Sequence, residues 1–216
     1  MNERVELKTE DGITIVGDYY EGGGEKAALL LHMMPATRAS WVTFANTLAV
    51  GGFSSLAIDL RGHGESIAGP AGALDYLEFE EARHQASLLD IAAAADFLKK
   101  EKKMKEISLA GASIGANLSF VFGTGEPGIR SVLLLSCGLD YKGLDLAAAL
   151  RAKKYSPRVF FVASEDDEYS AASTKELFGK YEGEKKLEIF KDAGHGTTIF
   201  ERKPEFIQIA ADWMTR

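Results

Sequence analysis

Short unbroken apolar runs alternate along this chain with longer stretches whose apolar positions recur every three or four residues. The first pattern reads as buried strand and the second as helix. The unbroken runs are Ala27 to His32, Ser54 to Leu60, Glu106 to Ala110, Ser131 to Cys137, Arg158 to Ala163 and Lys185 to Phe190. Helical spacing covers Trp41 to Val50, closed by Gly51 and Gly52, and then Phe79 to Lys100, with Leu88, Ile91, Ala95 and Leu98 on one stripe. Further helices are predicted from near Ile114, from near Leu144 to Lys153, over Ala171 to Tyr181, and from Pro204 to Met214. The N-terminus differs. Val5 to Thr9 alternates apolar and polar, Asp11-Gly12 supplies a turn, and Thr14 to Tyr20 follows. That is an antiparallel hairpin, placed at one edge of the sheet. Strand–helix alternation predicts an α/β fold: a mostly parallel eight-stranded sheet with an antiparallel N-terminal hairpin and helices on both faces.

No repeat and no Pro/Gly/Ser linker divides the chain, so residues 1–216 read as a single domain. The hydrophobic fraction of 46% is enough to cover both faces of a sheet without disulfides. The single cysteine, Cys137, ends an apolar run and reads as a small core residue. A net charge of −7 argues against a nucleic-acid partner. The first residues are charged, and no apolar stretch approaches a membrane span, so a cytoplasmic location is expected. No Cys/His cluster, H-E-x-x-H, Walker loop or strand-following G-x-G-x-x-G occurs, and the chemistry is expected to need no metal and no cofactor.

Gly111-Ala112-Ser113-Ile114-Gly115 matches G-x-S-x-G, a short string that carries weight only in context. Here a β-type run precedes it and a helical run follows, the strand–turn–helix setting the motif requires. Reversing a chain that sharply strains the serine backbone and leaves no room for side chains two positions either side. The serine hydroxyl then stands at a helix N-terminus, where the N–H of Ile114 points to where an oxyanion would form. A tight structural turn with an incidental serine is the plainer alternative.

A serine hydroxyl needs a base beside it. Of His32, His63, His84 and His195, the last lies in Ala193-Gly194-His195-Gly196-Thr197 directly after the final strand. Its flanking glycines let that loop pass close to other backbone. His84, between Arg83 and Gln85 in a helical pattern, reads as solvated or capping. The base needs an acid to orient it. Ser164-Glu165-Asp166-Asp167-Glu168 follows a strand and offers several. Most of such a run is solvated; Asp166 is the first choice to turn inward and Asp167 the second.

These residues resemble the α/β-hydrolase superfamily, and within it the small lidless esterases and dienelactone-hydrolase-like members. The resemblance spans nearly the whole chain. Four segments carry it: Leu30 to Pro35, Asp59-Leu60-Arg61-Gly62-His63-Gly64-Glu65-Ser66, Gly111 to Gly115, and Gly194-His195-Gly196. It implies a triad of Ser113, Asp166 and His195, with an oxyanion hole formed by the backbone N–H groups of Ile114 and Met34. Met33 stands where the family usually has glycine, which makes Met33 the alternative donor. His32 and His63 are implied to be structural. Between Cys137 and Arg158 there is room for one helix but for no cap domain. The activity implied is hydrolysis of carboxylic esters, with short acyl groups, through an acyl-enzyme, the partner being a small-molecule ester. A thioesterase, lactonase or peptidase could use the same triad, and a binding protein with decayed catalysis could keep the same fold.

Overall fold

The computed structural model describes residues 2–216. Eight longer strands build the main sheet: β1 (Asn2–Lys8), β2 (Thr14–Tyr20), β3 (Lys26–Leu31), β4 (Ser54–Ile58), β5 (Glu106–Ala112), β6 (Ile129–Leu135), β7 (Arg158–Ser164) and β8 (Lys185–Phe190). Their order is β8-β7-β6-β5-β3-β4-β2-β1. All neighbours from β8 to β4 are parallel, and β2 joins β4 antiparallel with β1 beyond it at the edge. A two-residue ladder, Ala68–Gly69 with Gly72–Ala73, adds to β2. A second, Asp140–Tyr141 with Leu144–Asp145, stands apart from the sheet.

Helices follow the strands: α1 (Val42–Val50), α2 (Glu81–Gln85), α3 (Leu88–Lys100), α4 (Ile114–Gly125), α5 (Leu146–Ala152), α6 (Glu168–Lys180), α7 (Thr198–Arg202) and α8 (Glu205–Thr215). The strand side chains sort between two cores with period two, as pleating demands. In β3, Ala27, Leu29 and Leu31 face the core that holds Ile91 and Leu98 of α3, Phe120 of α4 and Leu177 of α6. Ala28 and Leu30 face the other, with Trp41, Phe44 of α1, Phe200 of α7 and Phe206 and Trp213 of α8. A strand buried on both faces has no polar positions to spare, which is why these runs are unbroken. Among the described residues no helix is long and apolar enough to cross a membrane.

One predicted element divides. Phe79 to Lys100 is not a single helix: a 3₁₀ turn spans Tyr76–Glu78, Phe79 and Glu80 are extended, and α2 gives way to α3 at Ala86 and Ser87. At that joint the hydrogen bonds tighten, with Ser87 N–H reaching the His84 carbonyl and Asp90 N–H that of Ser87. The break turns two polar side chains inward. His84 is buried edge-on against Phe79, not solvated. Asp90 is fully buried and binds Arg61.

Arg61 itself is buried, so its charge must be paired. The Asp90 carboxylate accepts from its backbone N–H (2.9 Å), Nε (3.0 Å) and Nη2 (2.8 Å), while Asp11 accepts from Nη1 (2.7 Å). This ties the β1–β2 turn, the loop after β4 and α3 into one unit. Replacing Asp90 with Ala leaves the guanidinium with Asp11 alone and should cost about 3–5 kcal/mol of folding stability in urea titrations. A loss under about 1 kcal/mol would contradict the pairing described.

Candidate active site

β5 ends at Ala112 and α4 begins at Ile114, leaving Ser113 alone to reverse the chain. It does so at φ 53°, ψ −118°, a conformation a serine adopts at a cost of about 1–3 kcal/mol. The surroundings hold it there. The Ser113 N–H donates to the Leu135 carbonyl at the end of β6 (2.9 Å), and its own carbonyl accepts from Ala116 (2.9 Å) and Asn117 (3.1 Å). Gly111 and Gly115 are demanded by space. A Cβ on Gly111 would collide with the Gly115 carbonyl, and one on Gly115 would collide with the Leu31 and His32 carbonyls. The elbow therefore lies directly against the end of β3. Ser113 is part-exposed, and Ile114 occupies the first position of α4, where a backbone N–H has no intrahelical partner.

The loop after β3 carries His32, Met33 and Met34. His32 is fully buried. Its Nδ1 donates to the Met33 carbonyl (2.9 Å), and its Nε2 accepts from the Leu60 N–H (3.0 Å). Both partners fix one neutral tautomer. The two methionines diverge: Met33 packs with the α1/α8 core and Met34 with the α3–α6 core. Met33 reaches the histidine loop, its sulfur 3.9 Å from Thr197 Oγ1 and 2.5 Å from where a Cβ on Gly196 would stand.

His195 follows β8. Gly196 N–H donates to Ser136 Oγ (2.9 Å), and Ser136 directly follows Leu135, the acceptor of the Ser113 N–H. A Cβ on Gly196 would also stand 3.4 Å from Ala112 Cβ. These contacts bring Ser113 and His195 to the same C-terminal edge of the sheet. His195 Nδ1 lies 2.6 Å from an oxygen of Asp167, whose side chain is 19% exposed. A carboxylate only accepts, so Nδ1 carries the proton and Nε2 is the basic nitrogen of the neutral ring. Burial raises the Asp167 pKa, but hydrogen bonds from His195 and Ser170 outweigh it and hold the carboxyl below its usual range.

The acid facing the ring is thus Asp167, where Asp166 was expected. The reason is the turn after β7. Asp167 N–H bonds the Ser164 carbonyl (3.0 Å), and Asp167 becomes the N-cap of α6. Asp166 points to the backbone of the histidine loop instead. It accepts from Gly194 N–H (3.1 Å), takes the Ser164 hydroxyl and pairs with Arg202 (3.4 Å). The Ser164 hydroxyl, chiefly, keeps its carboxyl below the usual range. Two adjacent acids therefore hold one loop, Asp167 by the ring and Asp166 by the main chain. Ser136 and Ser164 escape sequence reasoning; their only signal is a small polar residue at a strand's C-terminal end.

The Asp59 to Ser66 loop is scaffolding. Asp59 is buried and accepts from the N–H groups of Arg38 (2.8 Å) and Glu65 (2.9 Å) and from the Arg38 guanidinium. Ser66 Oγ donates to the Asp59 carbonyl (2.7 Å). His63 donates from Nδ1 to the Arg61 carbonyl (3.0 Å) and stacks on Tyr76. Cys137 is buried, its thiol pushed up to about 11 by desolvation, as suits a core residue. Among the described residues no group of three or more His, Cys, Asp or Glu is disposed to hold a metal ion.

Burial, reinforced by the neighbouring His63, pushes the His32 pKa down to about 4. An unfolded histidine titrates near 6.5. Between those values the unfolded chain binds the extra proton, so stability falls as pH drops from about 6.5 to about 4, by roughly 3 kcal/mol for this ring. Asp90, raised to about 6 by burial against the pull of Arg61, works in the opposite direction over part of that window. Urea titrations at pH 7 and pH 4.5 should therefore show a smaller drop in His32→Gln than in wild type. An equal drop in both would contradict a neutral buried His32.

Comparison with known proteins agrees with this architecture. The family described as Hydrolase_4, serine aminopeptidase S33, matches residues 25–152, more than half of the chain. No curated protein sequence matches. Among solved structures, the Pyrococcus furiosus esterase Pf2001 superposes with a TM-score of 0.80 at 17% identity, over 100% of this chain and 91% of that one. A dienelactone hydrolase from Anabaena variabilis gives 0.77 at 18%, over 100% and 97%. XC6422 from Xanthomonas campestris, an α/β serine hydrolase without lid, gives 0.75 at 15%, over 97% and 91%. At these identities the likeness is one of fold.

Proposed function

This chain belongs to the Hydrolase_4 (serine aminopeptidase, S33) family of α/β hydrolases, and from that premise we propose that it cleaves small carboxylic esters through an acyl-enzyme on Ser113. The observation that carries the reading is the 2.6 Å contact between His195 Nδ1 and Asp167, on a loop packed against the Ser113 elbow. That contact leaves Nε2 free to take a proton. Asp167 replaces Asp166 in the proposed triad.

In this mechanism His195 Nε2 removes the hydroxyl proton as Ser113 Oγ attacks the ester carbonyl. The imidazolium that forms is stabilised by Asp167. The carbonyl oxygen becomes an oxyanion and takes hydrogen bonds from the N–H groups of Ile114 and Met34. The first of these lies at the N-terminus of α4, where the helix dipole adds to the donor. His195 then gives its proton to the departing alcohol. Water then attacks the acyl carbonyl as Nε2 takes its proton, and His195 returns that proton to Ser113 Oγ as the acyl–Oγ bond breaks and the acid leaves. The open, uncapped edge favours small substrates.

Steady-state hydrolysis of p-nitrophenyl esters tests this reading, with an aminoacyl p-nitroanilide beside them to detect peptidase activity. Ser113→Ala should abolish turnover. Asp167→Asn should lower kcat by roughly 10³–10⁴-fold, as losing the orienting acid does elsewhere. Asp166→Asn keeps an acceptor for the Gly194 N–H and should change kcat by less than about tenfold. Equal losses in the two Asn variants, or a wild-type protein inert toward every ester, would overturn the assignment.

A further inference from the structure

A cleft of about 290 Å³ opens at Met34 and Pro35, on the loop that the elbow packs against. Tyr76, Phe79, His84 and Lys142 form much of its remaining wall, and among the described residues no carboxylate lines it. The chain as a whole carries 32 acidic residues against 25 basic ones.

Its two basic groups are unspent. His84 is 3% exposed, yet among the described residues neither ring nitrogen meets a hydrogen-bond partner; its recorded neighbour is the Phe79 ring, 5.5 Å away and edge-on. A neutral imidazole lining the cleft has an N–H to offer to an acceptor bound there. Burial first, then the positive charge of Lys142, lowers its pKa, so in the empty cleft the ring is held neutral. Lys142 sits at φ 55° at the tip of the Asp140–Asp145 ladder. The ladder is braced on α2, since a Cβ on Gly143 would collide with Gln85 Nε2. Among the described residues the lysine salt bridges are made by Lys26, Lys100, Lys102, Lys105 and Lys180 instead. Of the nearby acids, Asp145 caps α5 through the Ala148 N–H (2.8 Å), while the Glu81 carboxylate lies beside Gly143 on the ladder side and does not line the cleft.

The cleft also has a side. His195 must reach the departing alcohol to protonate it. Met33 points to the histidine loop, while Met34, on the cleft, points the other way. The arm running away from His195 is the acyl arm.

We propose that this cleft is an acyl subsite that binds a carboxylate at the far end of the acyl chain, through Lys142 and the N–H of His84. The preferred substrates are then monoesters of dicarboxylic acids. This rests on the hydrolase reading above for its orientation, but the subsite can be tested apart from catalysis.

Two matched esters and one ligand suffice. Mono-p-nitrophenyl adipate and p-nitrophenyl hexanoate have acyl chains of equal length and differ in the terminal carboxylate. Wild type should show the higher kcat/KM on the adipate ester. Lys142→Met should lower that value on the order of tenfold, the worth of one charge-assisted hydrogen bond, and leave the hexanoate value within about twofold. Lys142→Arg should restore most of the difference. In parallel, adipate should bind Ser113→Ala in calorimetry and lose that binding when Lys142→Met is added. An adipate-to-hexanoate ratio unmoved by Lys142→Met, or adipate binding indifferent to it, would overturn the subsite. Lysine-dependent adipate binding in a wild-type protein that hydrolyses neither ester would sink the hydrolase reading and leave the subsite standing.

Discussion

A methyl group on Gly115 would run into the carbonyls of Leu31 and His32, and most of the site depends on that close approach. It lets the first turn of α4 sit on the end of β3, directly against the start of the loop that carries Met34. Ser113 pays for the contact in backbone strain, at φ 53°. The strain persists because neighbours on three strands over-determine the turn: β3 packs beneath it, β5 leads into it, and Leu135 of β6 accepts its N–H.

Around that point the loops at the C-terminal edge are fastened to one another. Ser136 takes the Gly196 N–H, Ser164 takes the Ala193 N–H at 2.8 Å, and Asp166 takes that of Gly194. The histidine loop is thus held by its backbone at Ala193, Gly194 and Gly196, on both sides of the ring that meets Asp167. Beneath the opposite side, buried Asp59 and the Arg61–Asp90 pair fix the loop that Tyr76 covers. Rigid support of this kind spares a reacting group the cost of being ordered at the moment of reaction.

The chain's hydrophobic pattern made the sheet legible because β3, β5, β6 and β7 are buried on both faces and can carry almost nothing polar. Gly111 and Gly115 were legible as well, since only glycine fits there. Asp167 was not. Once β7 ends, strand alternation no longer says which way a side chain points, and the turn that makes Asp167 a helix cap is a matter of two adjacent, chemically identical residues. The burial of His84 was not legible either: periodicity runs smoothly through Ala86 and Ser87, while the break there goes with Asp90 buried against Arg61, far away in sequence. Met33 could be seen as a departure from the resembled loop, but not that its sulfur would reach Thr197.

Reaction of the folded protein with a fluorophosphonate, followed by intact mass and peptide mapping, addresses the central claim most directly, because it reads the nucleophile without presupposing a substrate. The account predicts one adduct per chain, on the peptide bearing Ser113, absent in Ser113→Ala and markedly slower in His195→Gln. A folded protein that stays unmodified, or an adduct mapped to Ser136 or another serine, would contradict it.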